Sequence, residues 1–298
     1  MKKCKFCKKK INLVYTLKHL YYYCKNCNYY FRNKFNSGNI FNFFFKKKHY
    51  LHNNNTNKQT HFKYYKSLLE KQSYNLAFNE DKYNYMKTRN KRPSRVLDIG
   101  GSPGIDAVIM LRKKIVDTIE ITEYNSDIAK NIYKKTKIKT YNFDLSRLKI
   151  INKKKYDLII LWNVIYYCDN LERLFEIIKK NLTPGGKIIL CSPCPTLGLI
   201  IKYGVIESYP PKFLYPIKLI KESLNKNNLK IKKISLSKSK NFIKHNFSNF
   251  KNLYFLKKNL LLICISLYYL IRNFNNILKN GNNFLGLQNY ILECEKNK

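Results

Sequence analysis

Carboxylates are missing from most of this chain. No Asp or Glu precedes Glu70 and none lies between Glu222 and Glu293, so 16 of the 18 acidic residues fall between Glu70 and Glu222. Helix starts, ligand hydroxyls and ion pairs all draw on carboxylates, so chemistry of that kind is confined to the middle and the two flanks are left to solvation or surface attachment. No apolar segment follows the basic, cysteine-bearing Met1 to Lys10. That excludes the pattern of a secretory leader and makes the reducing cytosol the expected compartment. The apolar run Leu260 to Ile271, beside Lys257, Lys258 and Arg272, is shorter than the ~20 residues a bilayer-spanning helix needs. It reads as a buried helix or, failing that, an interfacial helix that makes the protein peripheral to a membrane. There is no internal repeat. None of the five histidines lies between Arg95 and Cys194, so the middle of the chain has no imidazole of its own for acid–base work.

With 298 residues there is room for one α/β domain and a small accessory module. Lys+Arg 58 gives a formal charge of +40. Such an excess suits RNA or an anionic membrane surface, and equally a genome-wide bias toward Lys, Asn and Ile codons. The nine cysteines are an odd set: four stand in close pairs and five are scattered among apolar residues, a pattern of metal ligands plus buried thiols and not of a disulfide framework. Cys4 and Cys7, with Cys24 and Cys27, form two C-x2-C knuckles sixteen residues apart. Four thiolates so spaced can close a tetrahedron on Zn²⁺, their sulfurs within ~4 Å of one another as Zn–S bonds of ~2.3 Å require, and a closed site of this kind is structural.

Residues 1–35 are therefore read as a zinc ribbon, 36–60 as an Asn-rich linker or arm, and 61–298 as the main domain with a basic aromatic insertion at about 236–284. From Arg95 onward short apolar runs alternate with helical periodicity: strands at Arg95–Ile99, Thr118–Ile121, Ile138–Phe143, Tyr156–Asn163 and Lys187–Cys191, helices at Ile105–Lys114, Ser126–Lys135 and Leu171–Leu182. Two last strands are expected at Lys230–Ser235 and Leu287–Cys294, and a helix or two over His61–Arg89. Strict alternation predicts an α/β fold, a Rossmann-like, doubly wound, seven-stranded and mostly parallel sheet.

Val96-Leu97-Asp98-Ile99-Gly100-Gly101-Ser102-Pro103-Gly104 is a buried strand ending in an acid and a glycine-rich turn. It resembles the first motif of the S-adenosylmethionine-dependent methyltransferase superfamily, with Gly101 shifted by one from the usual second glycine. Later pieces arrive in order: Glu120 or Glu123 at the second strand, Asp144 after the third, Asp157 and Asn163 bounding the fourth, and Leu182-Thr183-Pro184-Gly185-Gly186 leading into the fifth. The resemblance implies S-adenosylmethionine as cofactor, with Asp98, Gly100, Gly101, Gly104, Asp144 and Asn163 around it. It implies an acid on the ribose hydroxyls, for which counting back from Ala129 favours Glu120 over Glu123. The glycine turn does not fit a dinucleotide fingerprint, and no P-loop is present.

The acceptor is the least legible part. Small-molecule methyltransferases of the ubiquinone-biosynthesis type carry a His where Tyr167 stands, which leaves Tyr166 and Tyr167 as catalytic candidates. Asn163-Val164-Ile165-Tyr166 lacks the prolines of adenine-N6 enzymes. Cys194 lies after the fifth strand, but no Pro-Cys follows the fourth, as RNA cytosine-C5 enzymes require. The ribbon-plus-domain layout resembles the ribosomal RNA guanine-N1 methyltransferases, which keeps RNA as an alternative substrate. A small-molecule or lipid-like acceptor is favoured, with Tyr203, Tyr209, Phe213 and Tyr215 expected to wall its pocket. A non-catalytic binding protein on this scaffold, its cofactor pocket plugged by side chains, is a third reading.

Overall fold

The computed structural model describes residues 3–15, 20–32, 80–89, 92–145, 154–193, 212–238 and 288–296. The arm at 36–60, Cys194, Tyr203, Tyr209 and the apolar run at 260–271 lie outside the described residues. The chain divides into two compact units, one built on the N-terminal segment and one on the residues from Arg95 to Ser192.

In the first unit β1 (Asn12–Tyr15), β2 (Leu20–Cys24) and β3 (Tyr29–Arg32) form an antiparallel sheet, and β9 (Phe213–Leu214) adds to β3 with Phe31 opposite Phe213. Aromatic rings make its core. Tyr23 stacks on Tyr30 with centroids 4.3 Å apart, and Phe6, Tyr29 and Tyr215 lie within 5.0 to 6.4 Å of one another. A ring pair contributes ~0.5–1.5 kcal/mol beyond its area burial. Phe213 stacks on Tyr215, which packs on Phe6 and Tyr29 of the N-terminal segment.

The second unit is the predicted sheet. Its seven strands run in the order β10 (Leu229–Lys238), β11 (Gln288–Lys296), β8 (Leu182–Pro193), β7 (Tyr156–Trp162), β4 (Arg95–Ile99), β5 (Thr118–Glu123), β6 (Thr140–Asn142). The β4–β5, β4–β7, β5–β6 and β7–β8 pairs are all parallel. From β4 the chain winds outward through β5 and β6, then crosses back to β7 and β8. The reversal falls between β4 and β7, where open α/β sheets bind ligands beyond the carboxyl ends of their strands.

Among the described residues the α-helices are α1 (Glu80–Lys87), α2 (Ile105–Arg112), α3 (Ser126–Thr136), α4 (Leu171–Asn181) and α5 (Ile217–Lys226). In α4 the buried Leu171, Leu174, Phe175 and Ile178 follow the i, i+3, i+4, i+7 stripe, each worth roughly 1.5–3 kcal/mol when fully buried. The Asn170 side chain caps this helix by accepting from Arg173 N at 3.0 Å, and Asn125 caps α3 by accepting from Asp127 N and Ile128 N. Such caps are worth ~1 kcal/mol.

Strand β8 differs from expectation at its start. It begins at Leu182, not Lys187, because Leu182 already pairs with Tyr156 while Lys187 pairs with Leu158. Thr183 to Gly186 therefore bulge from the ladder, and the positive φ of 69° at Gly185 supplies the bend. Helix α5 is an element that the sequence pattern did not reveal.

Candidate functional site

The candidate site gathers at the carboxyl ends of β4, β5, β6 and β7. Beyond Ile99 the chain turns through Gly100 at φ 73° and Gly104 at φ 85° before entering α2. Gly100 N donates to Thr122 O and Oγ1, each at 3.1 Å, and Gly104 N donates to Gly101 O at 2.8 Å. The turn has no spare room. A Cβ on Gly100 would come within 2.5 Å of Val164 Cγ1, and one on Gly101 within 2.6 Å of Asp98 Oδ2. Val164 follows β7, so the loops after β4 and β7 touch across the point where the winding reverses.

The two glutamates of β5 have different surroundings. Glu123 ends the strand one register step beyond the Ile99–Thr122 pair, and opposite Asn142 of β6. It is 4% exposed, and its Oε1 accepts from Asn125 N at 2.9 Å. Burial raises its carboxyl above the ordinary range, against the donors of Asn125, Ser102 and Tyr124. Asn142 Nδ2 donates to Glu123 O at 3.1 Å and Tyr124 O at 2.8 Å, which ties down the loop after β5, and Phe143 N donates to Glu123 O at 3.0 Å. Asp144 follows directly.

Glu120 sits three residues back, opposite Leu97 in the body of the sheet. Its carboxylate accepts from Tyr156 OH at 2.6 Å and Tyr141 OH at 2.9 Å, and pairs with Lys154 at 2.5 Å. Burial alone would raise this group, but Lys154 and the two tyrosines outweigh it and hold the carboxyl below the ordinary range. Glu120 is thus engaged by neighbours in the body of the sheet, while Glu123 is the glutamate at the carboxyl end of β5. Counting residues could not say which carboxylate ends the strand.

Asn163 leaves β7 at φ 56°, its N–H on Cys191 O at 2.9 Å, so its backbone is bound to the neighbouring strand. A single 3-10 turn, Ile165–Tyr167, follows. Tyr166 and Tyr167 meet there edge to face with centroids 4.6 Å apart, and Tyr167 is 43% exposed. The turn thus presents aromatic surface beside the crevice.

Asp98 meets a partner that sequence reasoning missed. Lys82 of α1 pairs with Asp98 and lies 3.4 Å from Asp106 of α2. Burial pulls the ammonium down but the two carboxylates more than restore it, and burial pushes Asp98 up in spite of Lys82. One lysine among 58 Lys+Arg carries no sequence mark of such a position.

A family model for a methyltransferase domain matches residues 69–233, and this span includes the glycine turn, both glutamates, Asp144, Asn163 and the 3-10 turn. The chain belongs to this methyltransferase family. Among solved structures, a protein of Bacillus halodurans C-125 assigned as a methyltransferase shares the fold at a TM-score of 0.50 and 10% identity, over 73% of this chain and 98% of that one. The N-methyltransferase NodS of Bradyrhizobium japonicum WM9, in complex with S-adenosyl-L-homocysteine, matches at 0.46 and 11%, over 77% and 88%. A Galdieria sulphuraria protein assigned as a sarcosine dimethylglycine methyltransferase matches at 0.48 and 15%, over 73% and 86%. The search of curated proteins by sequence gives no match. Among the described residues of the methyltransferase no helix is long and apolar enough to cross a membrane.

In its N-terminal unit the ligand atoms of Cys4, Cys7, Cys24 and Cys27 all lie within 4.8 Å of one another. Cys7 and Cys24 sulfurs are 3.5 Å apart, and Cys4 and Cys27 sulfurs 4.0 Å. Cys4 N donates to Lys9 O and Lys8 N to Cys4 O, which folds the first knuckle back on itself, and the C-x2-C of the second spans the β2–β3 turn. The set is slightly wider than the ~4 Å expected, yet of the size a metal ion would draw together.

Proposed function

We propose that the enzyme takes its methyl group from S-adenosylmethionine and passes it to a small-molecule or lipid-like acceptor, with a structural zinc ion in the ribbon. The observation that carries the donor assignment is the buried Glu123 beside a turn with no room for a Cβ at Gly100 or Gly101. When bound, S-adenosylmethionine supplies an activated methyl group on a sulfonium, open to direct displacement by a nucleophile. The chain's own residues bind and orient. Glu123 accepts from the ribose hydroxyls, the Gly100–Gly104 backbone allows close approach, Asp144 meets the adenine amine, and Asp98 and Asn163 close the crevice on either side of the β4–β7 reversal. Without a histidine in the middle of the chain, rate comes from proximity and orientation of an acceptor that is already nucleophilic.

Support for a small or lipid-like acceptor is the exposed aromatic surface of the Tyr166–Tyr167 turn directly after β7, together with the missing nucleic-acid signatures. An RNA substrate is the second reading, favoured by an N-terminal segment with no acidic residue before Glu70. The four thiols suit zinc because soft thiolates in a tetrahedral set select it. The test is methyl incorporation from labelled donor into small nucleophiles, lipid and ribosomal RNA, with RNA and anionic-vesicle binding followed across a salt series. Label in small or lipid-extractable product supports the proposal. Label in RNA, with binding that survives physiological salt, overturns it, since purely electrostatic binding falls steeply with salt. Donor binding without transfer to any class would favour a binding protein.

A further inference from the structure

The parallel sheet carries opposite charge at its two ends. Helices α2, α3 and α4 run back from the carboxyl end of one strand to the amino end of the next, so helix ends and strand starts meet at the amino edge, opposite the candidate site. The loops after β4, β5, β6 and β7, with the helix starts that follow (98–108, 121–129, 142–145, 162–172), hold seven acids and no Lys or Arg. Arg173, the first base beyond them, pairs with Glu176. The approaches to β4, β5, β6, β7 and β8 at the other edge (92–95, 112–117, 134–139, 154–157, 179–187) hold fourteen Lys or Arg and two acids. All fourteen but Lys179 are exposed. Both acids are engaged locally: Asp117 pairs with Arg92, and Asp157 accepts from Arg95 N.

A codon bias toward lysine loads every exposed stretch alike and would not spare the carboxyl edge. Helix dipoles draw cations to last turns, which covers Arg112, Lys134, Lys135, Lys179 and Lys180. Lys114, Lys139, Lys154 and Lys155, however, lie outside the helices and their caps. Like charges also crowd one another at the end of α4. Lys296 Nζ donates to Lys179 O at 3.2 Å and Leu182 O at 3.0 Å, and Lys155 Nζ donates to Lys180 O. Burial and the ammoniums of Lys155 and Lys179 hold Lys296 below its ordinary range. Such crowding opposes folding, and a bound polyanion relieves it.

We infer that the amino edge of the sheet is a docking rim for single-stranded RNA, separate from the methyl-transfer site. The strands β6, β5, β4, β7 and β8 are neighbours in that order, so at ~4.8 Å between strands the rim is about 20 Å long. Strands of five to seven residues at ~3.3 Å each set it about 16–23 Å from the candidate site. The nucleotides held there are a tether and not the acceptor, whichever acceptor the enzyme takes. Tyr133 is 55% exposed and shares its face of α3 with Lys130 and Lys137, at i−3 and i+4. An unpaired base stacks on such a ring while the ammoniums meet phosphates. A duplex keeps its bases inside, and splayed, unpaired bases are what proteins read in RNA. An anionic bilayer instead takes a basic surface with several apolar anchors. Among the described residues Tyr133 is the one exposed large hydrophobic beside these lysines.

The experiment is fluorescence anisotropy of the full chain with a labelled single-stranded RNA of roughly 16 nucleotides across a salt series, beside sedimentation with phosphatidylserine vesicles. Wild type should bind the RNA, with affinity that falls steeply as salt rises. Lys134→Gln, Lys135→Gln, Lys137→Gln and Lys139→Gln combined should weaken binding about tenfold or more and lower the salt slope by about 2–3, since each phosphate contact contributes ~0.7 on a single strand. Arginine at the same four positions should restore both. Tyr133→Ala should weaken binding about fivefold or more and leave the slope unchanged. A control that removes equal charge from the N-terminal knuckles, Lys3→Gln, Lys8→Gln, Lys10→Gln and Lys25→Gln, should change affinity by less than about threefold, because distant charges are screened. The side chains replaced are all exposed, so the variants keep their cores. Wild type that does not bind the RNA, equal losses from the two lysine sets, or unchanged binding by Tyr133→Ala overturns the inference. A rim variant that loses vesicles and keeps RNA assigns the rim to a membrane and overturns it as well.

Discussion

Exchanging either glutamate of β5 for glutamine separates their roles by sign. Glu123→Gln keeps the volume and leaves an acceptor for Asn125 N, but its NH₂ cannot accept from a ribose hydroxyl and its oxygen accepts only at neutral strength. Losing one charge-assisted bond and weakening the other removes about 2–3 kcal/mol, or roughly 30- to 150-fold in donor affinity. The empty protein should nevertheless gain heat stability. Burial raises the Glu123 carboxyl, so its stability contribution is greatest below the ordinary glutamate pKa and is lost as pH rises through the raised one. Glutamine removes that loss at neutral pH. For Glu120 the sign reverses: Lys154, Tyr156 and Tyr141 hold it low, so its contribution is present above the ordinary pKa and is lost as pH falls through the lowered one. Glu120→Gln weakens the bond from the fully buried Tyr156 and breaks the half-exposed Lys154 pair, together about 1–2 kcal/mol, with donor affinity changed by less than about twofold. Calorimetric titration and thermal melts between pH 4 and 8 measure both quantities. Donor binding that fails with Glu120→Gln and survives Glu123→Gln would refute the assignment.

Gly100→Ala should cost about 2–4 kcal/mol in urea unfolding, from a left-handed backbone and a clash with Val164, because the added Cβ meets Val164 Cγ1 at 2.5 Å with φ at 73°. Metal analysis of the purified chain should find one zinc per chain, lost when Cys4→Ser and Cys24→Ser are combined; a metal-free parent contradicts the ribbon site. Burial pushes the Cys294 thiol from 9.0 up to about 12, so the stability it contributes is held below pH 9 and lost as pH rises toward the raised value. Urea midpoints of Cys294→Ala and parent, measured from pH 8 to 11, should converge with rising pH.

The parts of this fold that were legible in the sequence are those where one local rule acts over several residues. The run Val96–Ile99 reads as a strand because every position is buried on both faces, and α4 announces itself through a four-residue apolar stripe and an asparagine cap. Strand β9 has only two residues and no period to detect. The Pro184-Gly185-Gly186 junction reads as a turn, yet it lies within β8, because a bulge and a turn call for the same residues. Glu120 and Glu123 differ only in how far β5 extends, and strand ends are set by pairing with β4 and β6, which is non-local. Lys82 was hidden for a further reason: a lysine on an amphipathic helix normally faces water, and only the approach of Asp98 and Asp106 from two other elements reverses that. Phe213 pairs with Phe31, about 180 residues earlier in the chain, a non-local contact that no sequence period announces.

The most direct test of the central claim is a calorimetric titration of the intact wild-type chain with S-adenosylmethionine at physiological salt. The account predicts saturable binding at one site per chain, displaced by S-adenosylhomocysteine. A folded protein that takes up no heat and no donor at millimolar concentration would contradict it.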